Sequence, residues 1–209
     1  VFNGISNANG YMVLLGSILF CLQIYGDFAG YSDIAIGTAK LFNIDLMKNF
    51  DHPYKATSIA SFWRRWHISL SSWFKDYIYI PLGGSKKGNF RWALNILIVF
   101  LISGLWHGAA YTFIIWGLIH AVYQIVGKFT LQYRNKLLTK TKLNVDGKIV
   151  TIIRTIITFM LVNLAFIAFR SNSVSDMITA YKLLFTSYSI SDFQLFISKL
   201  PFGYYSFLI

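Results

Sequence analysis

Two apolar runs separated by only four residues constrain this chain more than any other feature. Residues 93–106 carry only Asn95 and Ser103 as polar side chains, and a second run, residues 111–126, returns after His107-Gly108-Ala109-Ala110. Runs of this kind read as helices that cross lipid, because a helix satisfies its own backbone hydrogen bonds where water cannot. The short connection makes them a tight hairpin. An ionisable imidazole at its tip is costly if it faces lipid, so His107 is expected to face protein or a water-filled cavity. Gly104 and Gly108 leave room for another backbone or a substrate to approach. On these residues alone, His107 fits a turn hydrogen-bonded to a neighbouring helix as well as it fits a functional group.

The remaining composition points the same way. The 209 residues are 56% hydrophobic and 13% charged, against about 25% charged for an ordinary globular domain. The chain reads as all-α, a polytopic transmembrane helical protein with interfacial amphipathic helices. All eight acids are Asp, and the 19 Lys and Arg give a net charge of +11. Such a balance can mark nucleic-acid binding, but no soluble basic domain is left once the apolar spans are removed. Nucleic acid is therefore not an expected partner, and the bilayer is. The positive charge instead follows topology, since cytoplasmic loops collect Lys and Arg. Cys21, the single cysteine, lies in an apolar segment and is expected to be a buried, inert thiol.

Along the chain, residues 11–26 form a first apolar segment, interrupted at Gln23, and residues 34–42 form another. Between them stands Asp27-Phe28-Ala29-Gly30-Tyr31-Ser32-Asp33. Two carboxylates there invite a metal or proton-relay reading. Gly26, Gly30 and Gly37 favour close helix packing instead, with the aspartates satisfied by local backbone or a basic partner. No metal site is expected. Pro53 disfavours helix at His52, which reads as a loop residue. Residues 81–88 read as a turn-rich, solvated basic loop; the strand and Gly-Lys-Ser/Thr ending of a P-loop are missing. Residues 150–169 form a further span. An amphipathic piece follows to Phe185 with Ser175 as its N-cap, and residues 202–209 open something apolar. Val1 and Ile209 read as cuts, so residues 1–209 are expected to be one membrane region, incomplete at the N-terminus and at the C-terminus.

Residues 62–79 read as one amphipathic helix. Trp63, Trp66, Leu70, Trp73, Phe74 and Tyr77 fall on one side, with Arg65, Ser72 and Asp76 opposite. His67 falls on the margin of the aromatic face. A Trp- and Tyr-rich helix with basic residues suits the membrane interface. With the flanking basic stretches in the cytoplasm, the 14 residues 93–106 rise roughly 21 Å into a hydrocarbon core of about 30 Å. His107 would then sit deep in the membrane, beyond His67 as seen from the cytoplasm.

These stretches together resemble a known family. Phe62-Trp63-Arg64-Arg65-Trp66-His67-Ile68-Ser69-Leu70-Ser71-Ser72-Trp73-Phe74 and Gly104-Leu105-Trp106-His107-Gly108 look like the membrane-bound O-acyltransferases, closest to the alginate O-acetyltransferase-like bacterial branch. Asp27 to Asp33, Tyr79-Ile80-Pro81-Leu82-Gly83-Gly84 and Trp116-Gly117-Leu118-Ile119-His120-Ala121 are similar to the same pattern. The resemblance implies a multi-pass protein of the cell membrane that moves an acyl group, expected to be acetyl, from a cytoplasmic donor to a hydroxyl of a polysaccharide or cell-wall glycan. D-alanyl or other acyl transfer to teichoic acid or a lipid acceptor is the alternative. It implies that His107 is catalytic and His67, 40 residues earlier, its partner. Trp63, Arg64, Trp66 and Trp106 are expected to line the substrate path. The donor would be an acyl thioester, acetyl-CoA or an acyl carrier, with no bound cofactor; hand-off to an extracytoplasmic acyltransferase is a further partner reading. The chain would correspond to the C-terminal half of such a protein.

The chemistry of the residues agrees. Attack of a hydroxyl on a thioester needs a proton acceptor, and imidazole, with a pKa of about 6.5, is suited to it. No Ser or Cys nucleophile with an adjacent base stands out, which favours direct base catalysis. Two other classes compete: a haem protein using His67, His107 and His120 as ligands, and a transporter relaying protons through Asp27, Asp33 and the histidines. Neither accounts for the joint motifs.

The topology is open to direct test. Residues 48–91 and 128–148, which hold most of the positive charge, are expected in the cytoplasm. Single cysteines at Ser85 and Asn144, in a Cys21→Ala background, should resist a membrane-impermeant thiol reagent in intact cells. Labelling of either from outside would reverse the orientation.

Overall fold

A computed structural model describes residues 1–141 and 143–200. Lys142 of the basic stretch and the apolar start at residues 202–209 lie outside the described residues. The described residues form helices and connecting turns, with α1 (Gly10–Leu41), α2 (Ile59–Trp63), α3 (Ile68–Phe74), α4 (Gly88–His107), α5 (Tyr111–Lys140), α6 (Lys148–Arg170), α7 (Val174–Thr186) and α8 (Ile190–Ser198). Four of them, α1, α4, α5 and α6, are long and apolar enough to cross a membrane. The polytopic helical architecture read from the sequence is therefore present.

The hairpin forms as expected, and its two limbs touch backbone to backbone. A side chain on Gly104 would stand 2.5 Å from the carbonyl oxygen of Phe113, and one on Gly117 would meet the carbonyl of Phe100. Small residues at a crossing let helices pack closely where lipid gives no hydrophobic drive to associate. The return limb α5 does not stop at Val126 but runs on to Lys140. Much of the supposed basic loop is thus helix.

A polar seam joins α1 to α6. The Ser17 hydroxyl is shared between Leu14 O at 2.9 Å and Asn163 Oδ1 at 3.0 Å, and Asn163 Nδ2 donates to Cys21 Sγ at 3.2 Å. All three residues are buried. Cys21 is the buried thiol expected, and it also serves as an acceptor. Around this seam Phe62, Trp66, Ile59, Val162 and Phe166 close a core. Tyr181 of α7 donates to Leu164 O at 2.8 Å and ties that helix to α6.

Several boundaries differ from the sequence reading. The two segments read from the sequence form one helix, Gly10–Leu41, of roughly 48 Å. Asp27 and Asp33 stand exposed on its surface, and without a proline nothing interrupts the hydrogen-bond ladder. Side chains added at Gly26, Gly30 or Gly37 would meet nothing within 4 Å, so these glycines do not mark a helix contact among the described residues. The N-cap of α7 is Ser173, not Ser175: its hydroxyl accepts from the Asp176 N–H at 3.0 Å. α8, capped by the reciprocal Ser189–Asp192 pair, was not read from the sequence. The turn at residues 81–84 is less free than a solvated loop, because Asn95 Nδ2 donates to Leu82 O and Gly84 O at 3.3 and 2.9 Å.

The hairpin contact yields a paired prediction. Gly117→Val drives a branched side chain into the Phe100 carbonyl, an overpacking of about 1–3 kcal/mol or more. Membrane-inserted full-length protein should accumulate several-fold less than wild type. Gly26→Ala, facing open space, should accumulate normally. Equal levels of both on immunoblots of washed membranes would show that the close approach is dispensable.

Candidate active site

His107 is the last residue of α4, and three helices supply its surroundings. Its ring meets Trp106 of α4 at 4.9 Å between centroids, Trp116 of α5 at 5.1 Å and Phe169 of α6 at 5.1 Å, each edge to face; Phe113 lies at 6.3 Å. The imidazole is half-buried. Among the described residues, the aromatic neighbours restrict the ring without occupying its nitrogens, which leaves them available to a reacting hydroxyl. Such surroundings suit a proton acceptor in a site of low polarity.

His67 reaches the same place by another route. The single amphipathic helix expected over residues 62–79 is broken: α2 ends at Trp63, α3 starts at Ile68, and a π-helical turn, Lys75–Tyr79, follows it. His67 lies in the break with φ +45° and ψ +57°, a left-handed conformation that costs a non-glycine residue roughly 1–2 kcal/mol. Asn49 holds the break in place. Its carbonyl accepts from the Ile68 N–H at 3.0 Å, and its Oδ1 accepts from the Ser69 N–H and hydroxyl at 3.2 and 2.6 Å. Nearby, Arg65 Nη1 donates to Asp51 Oδ2 at 3.2 Å, and the Asp51 N–H donates back to Arg65 O at 3.0 Å. The periodicity of residues 62–79 is genuine, but burying Phe62 and Trp66 in the core and capping α3 from Asn49 outweigh helix continuation. Irregular backbone of this kind is tolerated in a membrane protein where protein, not lipid, surrounds it.

As a result, His67 does not sit apart from His107. Its ring packs on Phe28 of α1 at 4.6 Å and on Trp106 at 6.1 Å. Trp106, itself 57% exposed, therefore touches both imidazoles. The other residues expected on a substrate path divide. Arg64 is exposed. Trp66 is buried among Phe50, Phe62 and Phe166. Trp63 turns inward against Phe100 and Trp116, and its indole N–H donates to His120 Nδ1 at 3.3 Å. His52 is exposed beside Asp51, whose carboxyl it holds below the usual range by a 3.1 Å hydrogen bond; it belongs to a loop, as its Pro53 neighbour implied. Among the described residues no three His, Cys, Asp or Glu side chains gather to hold a metal ion.

Sequence reasoning missed Asn49 and Phe169 and did not place Trp116 and His120. Asn49 carries no motif signal. Phe169 looks like any apolar residue of its span. Trp116 and His120 were visible as a four-residue helical spacing, which places them on one face of α5, but nothing marked that face as the one behind His107.

Comparison with known proteins accords with this geometry. The profile of the membrane-bound O-acyltransferase family matches residues 2–171. The chain is 37% identical over 172 residues to Probable alginate O-acetylase AlgI of Pseudomonas aeruginosa, covering 82% of this chain and 31% of that protein. It is 42% identical over 167 residues to the peptidoglycan O-acetyltransferase of Helicobacter pylori, covering 79% and 30%. It is 33% identical over 170 residues to the teichoic acid D-alanyltransferase of Bacillus subtilis, covering 75% and 41%. The chain thus spans about a third of the length of the alginate and peptidoglycan relatives. Both histidine-bearing motifs lie inside the matched region, and the chain belongs to the membrane-bound O-acyltransferase family.

Proposed function

We propose that the protein containing this chain is an O-acyltransferase that moves an acetyl group from a cytoplasmic thioester to a hydroxyl of an extracytoplasmic polysaccharide or cell-wall glycan. The observation that carries the reading is the packing of both His107 and His67 against Trp106, in a region shared with relatives named for acetyl and D-alanyl transfer. In this reading the acceptor oxygen attacks the thioester carbonyl carbon while His107 takes the hydroxyl proton. The tetrahedral intermediate collapses, the carbon–sulfur bond breaks, and the proton passes from His107 to the departing thiolate. Base catalysis of this type contributes about 10²–10⁴-fold. His67, held rigidly by the Asn49 contacts, orients the donor or hydrogen-bonds its carbonyl. Trp106 and Arg64 line the approach, and the donor is acetyl-CoA or an acyl carrier. The protein lies in the cell membrane.

The structure sharpens the test of the two histidines. Asn is the non-glycine residue that best tolerates a left-handed conformation, so His67→Asn removes the imidazole without straining the break. Full-length variants are compared by acylated glycan per amount of membrane-inserted protein, with the transferred group read by mass spectrometry. His107→Asn should lose about 10²–10⁴-fold, and His67→Asn should keep measurable turnover. A live His107→Asn beside a dead His67→Asn would make His67 the base. An added D-alanyl rather than acetyl group would move the protein to the teichoic acid reading.

A further inference from the structure

Near His107, the interior of the bundle holds two buried N–H groups with no acceptor among the described residues. His120 is 0% exposed and Trp116 2%. The Trp63 indole N–H donates to His120 Nδ1 at 3.3 Å. An indole nitrogen can only donate. His120 Nδ1 must therefore be unprotonated, which makes the ring neutral and puts its one proton on Nε2. That Nε2–H has no acceptor among the described residues, and neither has the Trp116 Nε1–H. Two donors cannot satisfy each other.

Leaving such a group unpaired costs about 1–3 kcal/mol, and native interiors rarely do so. The two rings stand four residues apart on one face of α5, with centroids 5.1 Å apart. The site is closed to bulk solvent, and a buried water commonly makes about three hydrogen bonds of this kind.

We propose that His120 Nε2–H and Trp116 Nε1–H share one buried water, and that this bridge makes His120 a positioning residue for His107. Trp116 is the link. Its ring packs on both His120 and His107, at 5.1 Å each, nearly perpendicular to the latter. Trp116 Nε1 is the only polar atom on that side chain, so its partner sets how the ring is turned. The Trp63–His120 hydrogen bond fixes the tautomer, the tautomer fixes the bridge, and the bridge fixes the wall against which His107 stands. The positioning role rests on reading His107 as the base; the bridge itself does not.

The test uses the full-length protein in lipid with ¹⁵N-labelled histidine and tryptophan. Solid-state NMR should show His120 protonated at Nε2 and bare at Nδ1, with magnetisation transfer from water to Nε2–H and to the Trp116 indole. Trp63→Phe should release the tautomer. His120→Gln, which can accept from Trp63 and donate to the water, should leave the Trp116 indole signal and turnover near wild type. His120→Phe should shift that signal and lower kcat by about 10–100-fold, the scale of a misplaced catalytic group, with KM for the donor little changed. A proton on His120 Nδ1, or a Trp116 signal with no water contact, would overturn the bridge. Gln and Phe variants of equal turnover would overturn the positioning role. A fully active His107→Asn beside an intact bridge would fail the reading of His107 as the base, and the positioning role with it, while leaving the bridge in place.

Discussion

The backbone contact between α4 and α5 is the constraint on which the rest depends. With Gly104 against the Phe113 carbonyl and Gly117 against that of Phe100, the limbs of the hairpin cannot slide or rotate without steric conflict. That contact presents His107 at the hairpin's tip and brings Trp116 beside it from the returning limb. Interhelical packing of this kind matters more in lipid than in water, because lipid is as apolar as the helices and gives them no other reason to associate.

A second constraint acts on the segment between α1 and α4. Polar backbone at membrane depth must find its partners within the protein. The break at His67 meets this through Asn49, which serves the first N–H groups of α3 while its own Nδ2 donates to Ser32 Oγ of α1 at 3.3 Å. The left-handed strain at His67 persists because these contacts over-determine it, as strained residues at functional sites commonly require. Buried polar pairs elsewhere, Ser17 with Asn163 and Trp63 with His120, set how α6 meets α1 and how α2 meets α5.

Much of this was legible in the sequence. The spans, the hairpin and the motif histidines follow from apolar runs and local residue order, and these survive into the structure because helices satisfy themselves locally. What failed was whatever depended on partners distant in sequence. The period of residues 62–79 is helical, yet Asn49, 18 residues before His67, decides that the helix breaks. The aspartates at 27 and 33 looked like an interruption, but isolated polar residues on an exposed helix face do not end it. Ser173 and Ser175 offer the same hydroxyl, and only the position of the Asp176 N–H chooses between them. That His67 and His107 share Trp106 could not be read from a 40-residue spacing at all.

The central claim is that the reacting hydroxyl meets its proton acceptor at His107, inside the cage of Trp106, Trp116 and Phe169. The most direct measurement is a cryo-electron microscopy structure of the full-length protein in lipid, with an unreactive thioether analogue of the acyl donor and an acceptor oligosaccharide bound together. The account predicts the acceptor hydroxyl about 2.6–3.2 Å from a ring nitrogen of His107, with the analogue's acyl carbon beside it and His67 on the donor side. A hydroxyl bound against His67, with His107 touching only protein, would contradict it.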